Sequence, residues 1–161
     1  MNLLFSAALL PQTFHRQINP FPFIMDGVEL QTPFLGGFNK PNPQFLDWDN
    51  DGLADLFVRD QDGRLQYFYN TGSASEPAFE LQTKAFQGLD VGQWFCFFDY
   101  DHDGDIDLMA GPQSPNISLF ENVGDSLFLA VSPLLDDSSV AVYGGQIVIP
   151  AVADINGDGW E

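Results

Sequence analysis

The residues Asp99-Tyr-Asp101-His-Asp103-Gly104-Asp105-Ile-Asp107 set carboxylates at loop positions 1, 3, 5 and 9 and a glycine at position 6. Carboxylates crowded this closely repel one another unless a cation sits among them. Alternate residues of a tight turn can point inward together, and Gly104 can take the positive φ that doubles the chain back. The carbonyl of Asp105, at position 7, can add a backbone oxygen. An all-oxygen cage suits Ca²⁺, a hard cation that takes about six to eight oxygens at about 2.3–2.6 Å.

The pattern occurs upstream as Asp47-Trp-Asp49-Asn-Asp51-Gly52-Leu53-Ala-Asp55. It begins a third time at Asp154-Ile-Asn156-Gly-Asp158-Gly159-Trp160-Glu161, where the sequence stops one residue short of position 9. Asp-Gly turns often close hairpins with no metal, so one such loop would decide little. Two complete copies and a third opening in the same register point to a cation. An EF-hand requires a bidentate Glu at loop position 12 and flanking helices. Position 12 is Val58 in one copy and Ala110 in the other, and neither loop has helical flanks.

The chain of 161 residues carries 5 Lys+Arg against 23 Asp+Glu, for a net charge of −18. Of its 18 Asp, 11 fall in the three loops, so bound cations would offset much of the charge. The basic residues Arg16, Lys40, Arg59, Arg64 and Lys84 are scattered and make no patch for nucleic acid. Hydrophobic content of 45% and aromatic content of 14% indicate a globular chain. The single cysteine, Cys96, excludes an internal disulfide and reads as a buried small hydrophobe in the run Trp94–Phe98. No segment is long enough to span a membrane. Met1–Leu10 has the character of a short signal-peptide core, without a leading Lys or Arg; a first apolar strand is the alternative.

The loops must be held by strands. Sliding the sequence by 52 residues superposes Asp47 on Asp99, Asp55 on Asp107, Phe68 on Phe120, Asn70 on Asn122 and Gly72 on Gly124. The next step is 55 residues. A repeat of this length without helical periodicity implies four short strands per unit. Asp26-Gly27 marks an early hairpin. Strands are expected at 44–46, 56–58, 64–69 and 79–86, with 87–92 crossing to the next unit, then at 95–98 and 146–153. The organisation expected is a possible signal remnant at 1–11, N-terminal strands and a Pro/Gly-rich loop at 12–43, repeats at 44–92 and 93–145, and the start of a third at 146–161. Four-stranded antiparallel sheets at this spacing read as β-propeller blades, about two and a half of them.

The unit from Phe45-Leu-Asp47 through Asp55-Leu-Phe-Val58, then Asp62-Gly63 and Leu65-Gln-Tyr-Phe-Tyr-Asn70-Thr-Gly-Ser73, resembles the FG-GAP/VCBS repeat of integrin α-subunit propellers and bacterial surface proteins. The resemblance covers residues 34–161 and implies Ca²⁺ in the loop joining the first two strands of each blade. Carried over by position, the ligands are Asp47, Asp49, Asp51, the Leu53 carbonyl and Asp55 in the first loop. In the second they are Asp99, Asp101, Asp103, the Asp105 carbonyl and Asp107. In the third they are Asp154, Asn156, Asp158 and the Trp160 carbonyl, with position 9 missing. Such propellers usually close with more blades, so the resemblance implies further blades of a longer chain as partners.

These readings converge on a non-enzymatic, secreted or cell-surface Ca²⁺-binding propeller segment for adhesion or for binding a protein or carbohydrate ligand. The alternative is a propeller module of a secreted carbohydrate-active enzyme or lectin. A glycosidic acid needs a raised pKa in an open cleft, whereas carboxylates around one cation titrate low. His102, at loop position 4, reads as a solvated loop residue, and Trp48 and Tyr100, sharing position 2, as packing between loops.

Overall fold

The structure, a computed structural model, describes residues 21–30, 36–111, 116–124, 126–142 and 150–157. The chain divides into two compact units, Met1–Phe34 and Leu35–Glu161. In the first, β1 (Ile24–Met25) pairs antiparallel with β2 (Val28–Glu29). Asp26 and Gly27 between them both have positive φ, 52° and 81°, which matches the right-handed twist of the ribbon.

Among the described residues the second unit holds two antiparallel sheets of four strands each. One runs β3 (Asn42–Leu46), β4 (Asp55–Arg59), β5 (Leu65–Asn70), β6 (Phe79–Thr83), each strand beside the next. The other repeats the order as β7 (Phe95–Phe98), β8 (Asp107–Ala110), β9 (Ser118–Asn122), β10 (Leu127–Val131). The molecule is therefore all-β, built of propeller-type blades, as the repeat predicts. Pro43 sits in the edge strand β3, where its missing N–H is tolerated. No helix among the described residues is long and apolar enough to cross a membrane.

Strand alternation gives each blade two apolar faces, and the blades stack head to tail. Phe57 and Leu65 of the first blade pack against Phe97, Leu108, Ala110 and Phe120 of the second. Shifted back by 52 residues, those four positions are Phe45, Leu56, Val58 and Phe68, which lie on the far face of the first blade. Polar bonds also link the first blade to the segment that opens the second. Gln44 donates through Nε2 to the Phe97 carbonyl and accepts the Phe97 N–H through Oε1, both at 3.0 Å. The buried Arg59 donates from Nε to the Gly92 carbonyl at 2.8 Å.

Three local readings are corrected. The outer strand ends at Thr83 rather than at residue 86, because Phe86 turns into the core between the blades and begins a single 3-10 turn, Phe86–Gly88. Trp48 does not pack between loops: its ring lies against Phe57, Phe86 and Phe97 at 5.2–5.8 Å, while Tyr100 stays about half exposed beside Phe98. Cys96 is only partly buried, against the outer apolar face of the second blade. The expected strand at 146–153 falls largely outside the described residues.

Candidate metal centre

Each acidic loop joins the first two strands of its blade, closing on the pairs Leu46↔Asp55 and Phe98↔Asp107. The loops share one internal scaffold. Gly52 donates its N–H to Asp47 Oδ2 at 2.8 Å, and Gly104 to Asp99 Oδ2 at 3.1 Å. Asp49 Oδ1 accepts from the Asp51 amide and Asp101 Oδ1 from the Asp103 amide, both at 3.2 Å. Asp51 Oδ1 accepts from the Leu53 amide and Asp103 Oδ1 from the Asp105 amide, both at 2.8 Å. Side-chain oxygens thus hold the turn that aims the carboxylates, and the position-7 residues Leu53 and Asp105 are fixed by their amides.

Position 4 is where the chain bends. Asn50, His102 and Gly157 occupy it with φ of 60°, 62° and 77°. Asn and Gly tolerate this left-handed conformation, so their presence was a readable signal. His102 is the exception, and its place in the loop is that bend.

Among the described residues, two clusters have one oxygen from each residue within 4.8 Å of all the others: Asp47, Asp49 and Asp51 in the first loop, and Asp99, Asp101 and Asp107 in the second. Ligands about 2.4 Å from a common centre are at most about 4.8 Å apart, so both sets can share one cation. Asp99 Oδ1 is buried and has no hydrogen-bond partner among the described residues. An orphaned buried carboxylate oxygen in an all-oxygen set fits a hard divalent ion. In the third loop Asp154 Oδ1 accepts the Gly157 N–H at 2.6 Å and Asn156 is exposed, while Asp158 and Trp160 lie outside the described residues.

The position-9 carboxylates behave in a way that their spacing does not reveal. Asp55 is fully buried, with Oδ1 accepting the Asn70 N–H at 2.8 Å and Oδ2 the Tyr67 hydroxyl at 2.8 Å. Asp107 is also buried, with Oδ1 accepting the Asn122 N–H at 2.7 Å and Oδ2 the Tyr100 N–H at 2.9 Å. Each Asn also donates through Nδ2 to a loop carbonyl at 3.1 Å, Asn70 to Ala54 and Asn122 to Ile106. The end of the third strand therefore anchors the acidic loop. The alignment of Asn70 with Asn122 was the available clue, but alone it reads as a turn.

Burial pushes both carboxyls above the usual range. For Asp55 the Asn70 amide and Tyr67 hydroxyl oppose the rise, while Asp49 and Asp51 add to it. For Asp107 the Asn122 and Tyr100 amides oppose it, and Asp101 and Asp103 add to it. Tyr69 donates its hydroxyl to Asp51 Oδ2 at 3.1 Å, which raises its own pKa.

The FG-GAP-like repeat model matches this chain at residues 47–110 and again at 99–161, so the two matches share the second acidic loop. No curated protein and no solved structure matches it.

Proposed function

The chain belongs to the FG-GAP-like repeat family, and from that premise we propose that it is a non-enzymatic, extracellular Ca²⁺-binding propeller segment for adhesion or ligand display. The observation that carries this reading is that the same acidic loop of two blades gathers three carboxylates, with a buried oxygen of Asp99 unpartnered among the described residues in the second. Asp47, Asp49 and Asp51 would hold the ion in the first loop, and Asp99, Asp101 and Asp107 in the second. Bound there, the cation supplies positive charge that relieves carboxylate repulsion and ties the two strands of the hairpin together. Everything else is done by the chain. The Gly52 and Gly104 amides orient the first carboxylate, and the position-9 carboxylate clamps the loop to the third strand.

The exposed Asp49, Asp51 and Asp101 leave both sites open to water on one side, which suits the modest affinities, about 10⁻⁴–10⁻³ M, of extracellular calcium modules. That supports a secreted or cell-surface setting, as does the family. The non-enzymatic reading rests on Asp55 and Asp107: their carboxyls are raised, but they are buried and hydrogen-bonded to their own blade rather than open to a cleft. Ligands of the segment would be extracellular proteins or carbohydrates bound on loop faces, beside further blades of the same kind.

Thermal melting with calcium and with chelator tests the proposal. At calcium about 100-fold over Kd each site adds about 2.7 kcal/mol, so chelation lowers Tm by several degrees, and Asp101→Asn removes part of that shift. An identical Tm in chelator and in about 10–100 mM calcium, which is 100-fold over that Kd, would refute structural calcium sites.

A further inference from the structure

The two acidic loops share a scaffold but gather different carboxylates. Each gathers three: the second brings its position-9 residue, Asp107, together with Asp99 and Asp101 and leaves out Asp103, whereas the first gathers Asp47, Asp49 and Asp51 and leaves out Asp55. The difference tracks a residue on the third strand. Tyr67 donates its hydroxyl to Asp55 Oδ2 at 2.8 Å. The residue 52 positions later is Leu119, which has no donor, and Asp107 Oδ2 accepts the Tyr100 N–H instead. A second phenol, Tyr69, engages Asp51 in the first loop, where the second repeat has Glu121.

We propose that Tyr67 holds Asp55 out of the first cage and so makes the first loop the weaker of two unequal divalent-cation sites. Tyr67 is a positioning residue, acting through Asp55, and the inference rests on the calcium reading above. The oxygen keeps a second lone pair, so the hydroxyl acts by fixing the rotamer: turning Asp55 into the cage strains or breaks a charged hydrogen bond. Asp55 Oδ1 is held by the Asn70 amide as well. In the second loop both donors to Asp107 are backbone amides, and Asp107 still reaches Asp99 and Asp101.

Tyr67→Phe tests this with the ring kept, so that its stacking on Phe57 at 4.7 Å survives. Calcium is titrated calorimetrically into the whole 161-residue chain, with Asp154→Asn throughout to silence the third loop. Adding Asp101→Asn leaves the first loop to be read alone, and Asp49→Asn leaves the second. The second loop binds more tightly. Tyr67→Phe tightens the first by about ten-fold, the size expected for releasing one charged hydrogen bond, and leaves the second unchanged. With the second loop silenced, calcium also produces a tyrosine difference absorbance that Tyr67→Phe diminishes. A first loop that is unmoved or weakened by Tyr67→Phe, or that is the tighter one beforehand, overturns the inference while the calcium reading stands. No calcium heat or Tm shift in the unsubstituted chain sinks both.

Discussion

Asp55 and Asp107 carry the clearest consequence of single residues. Both are carboxyls whose folded pKa lies above the unfolded value because burial disfavours the charge. The folded chain therefore binds more protons than the unfolded one between those two values. The stability they contribute is full below the unfolded pKa, about 3.8, and is lost as pH rises through the folded one. In chelator, Tm should rise as pH falls from neutral toward the raised values, and lowered net repulsion works in the same direction. Asp60, held low first by the Lys40 amide, opposes this only from the surface. With calcium, protons compete for the ligands, so the calcium-induced gain in Tm shrinks over the same range. A melting series in each buffer checks both slopes, and a metal-free Tm that falls on mild acidification would mean that these carboxyls are not buried. The spacing of the aspartates was legible in the sequence because it is local. The burial of the ninth was not, because it depends on Asn70 and Asn122, each 15 residues further on across a sheet.

The strands were legible from the 52-residue repeat, since two segments that align without a gap must make the same hairpins. What failed was the connection after β6: nothing in an apolar run tells whether Phe86 extends a strand or leaves it for the core. The ends of β5 and β9 show how equivalent elements diverge energetically. Asn70 donates to the Ala54 carbonyl and accepts from the Gly72 and Ala78 amides at 3.0–3.1 Å, so it closes the longer loop into β6. Asn122 makes the matching bond to Ile106, but its Oδ1 is buried without a partner among the described residues. Removing a well-used side chain costs more than removing one that already bears an unsatisfied oxygen. Asn70→Ala should lower unfolding free energy by about 2–3 kcal/mol and Asn122→Ala by about 1 kcal/mol, as read from urea denaturation. Equal losses would show that the β5–β6 loop bonds contribute little.

At the scale of the two blades together, the contact between them joins unlike faces. Phe97 and Phe45 are repeat equivalents, yet Phe97 is 6% exposed and Phe45 57%. Phe97 meets Phe57 at 4.7 Å and Trp48 at 5.8 Å across the seam, whereas Phe45 touches Phe79 of its own sheet. The cluster at this seam needs both sheets in place, as in stacked repeats whose stability comes from neighbours. Phe97→Ala should then cost about 3–5 kcal/mol, and Phe45→Ala well under half of that. The decisive measurement is native-state hydrogen exchange. If the seam couples the sheets, Phe97→Ala lowers protection in β4 and β5 as much as in β8 and β9, although the substitution lies in the second sheet. Loss confined to β7–β10 would instead make each blade an independent folding unit, joined by Gln44 and Arg59 but not stabilised by its neighbour.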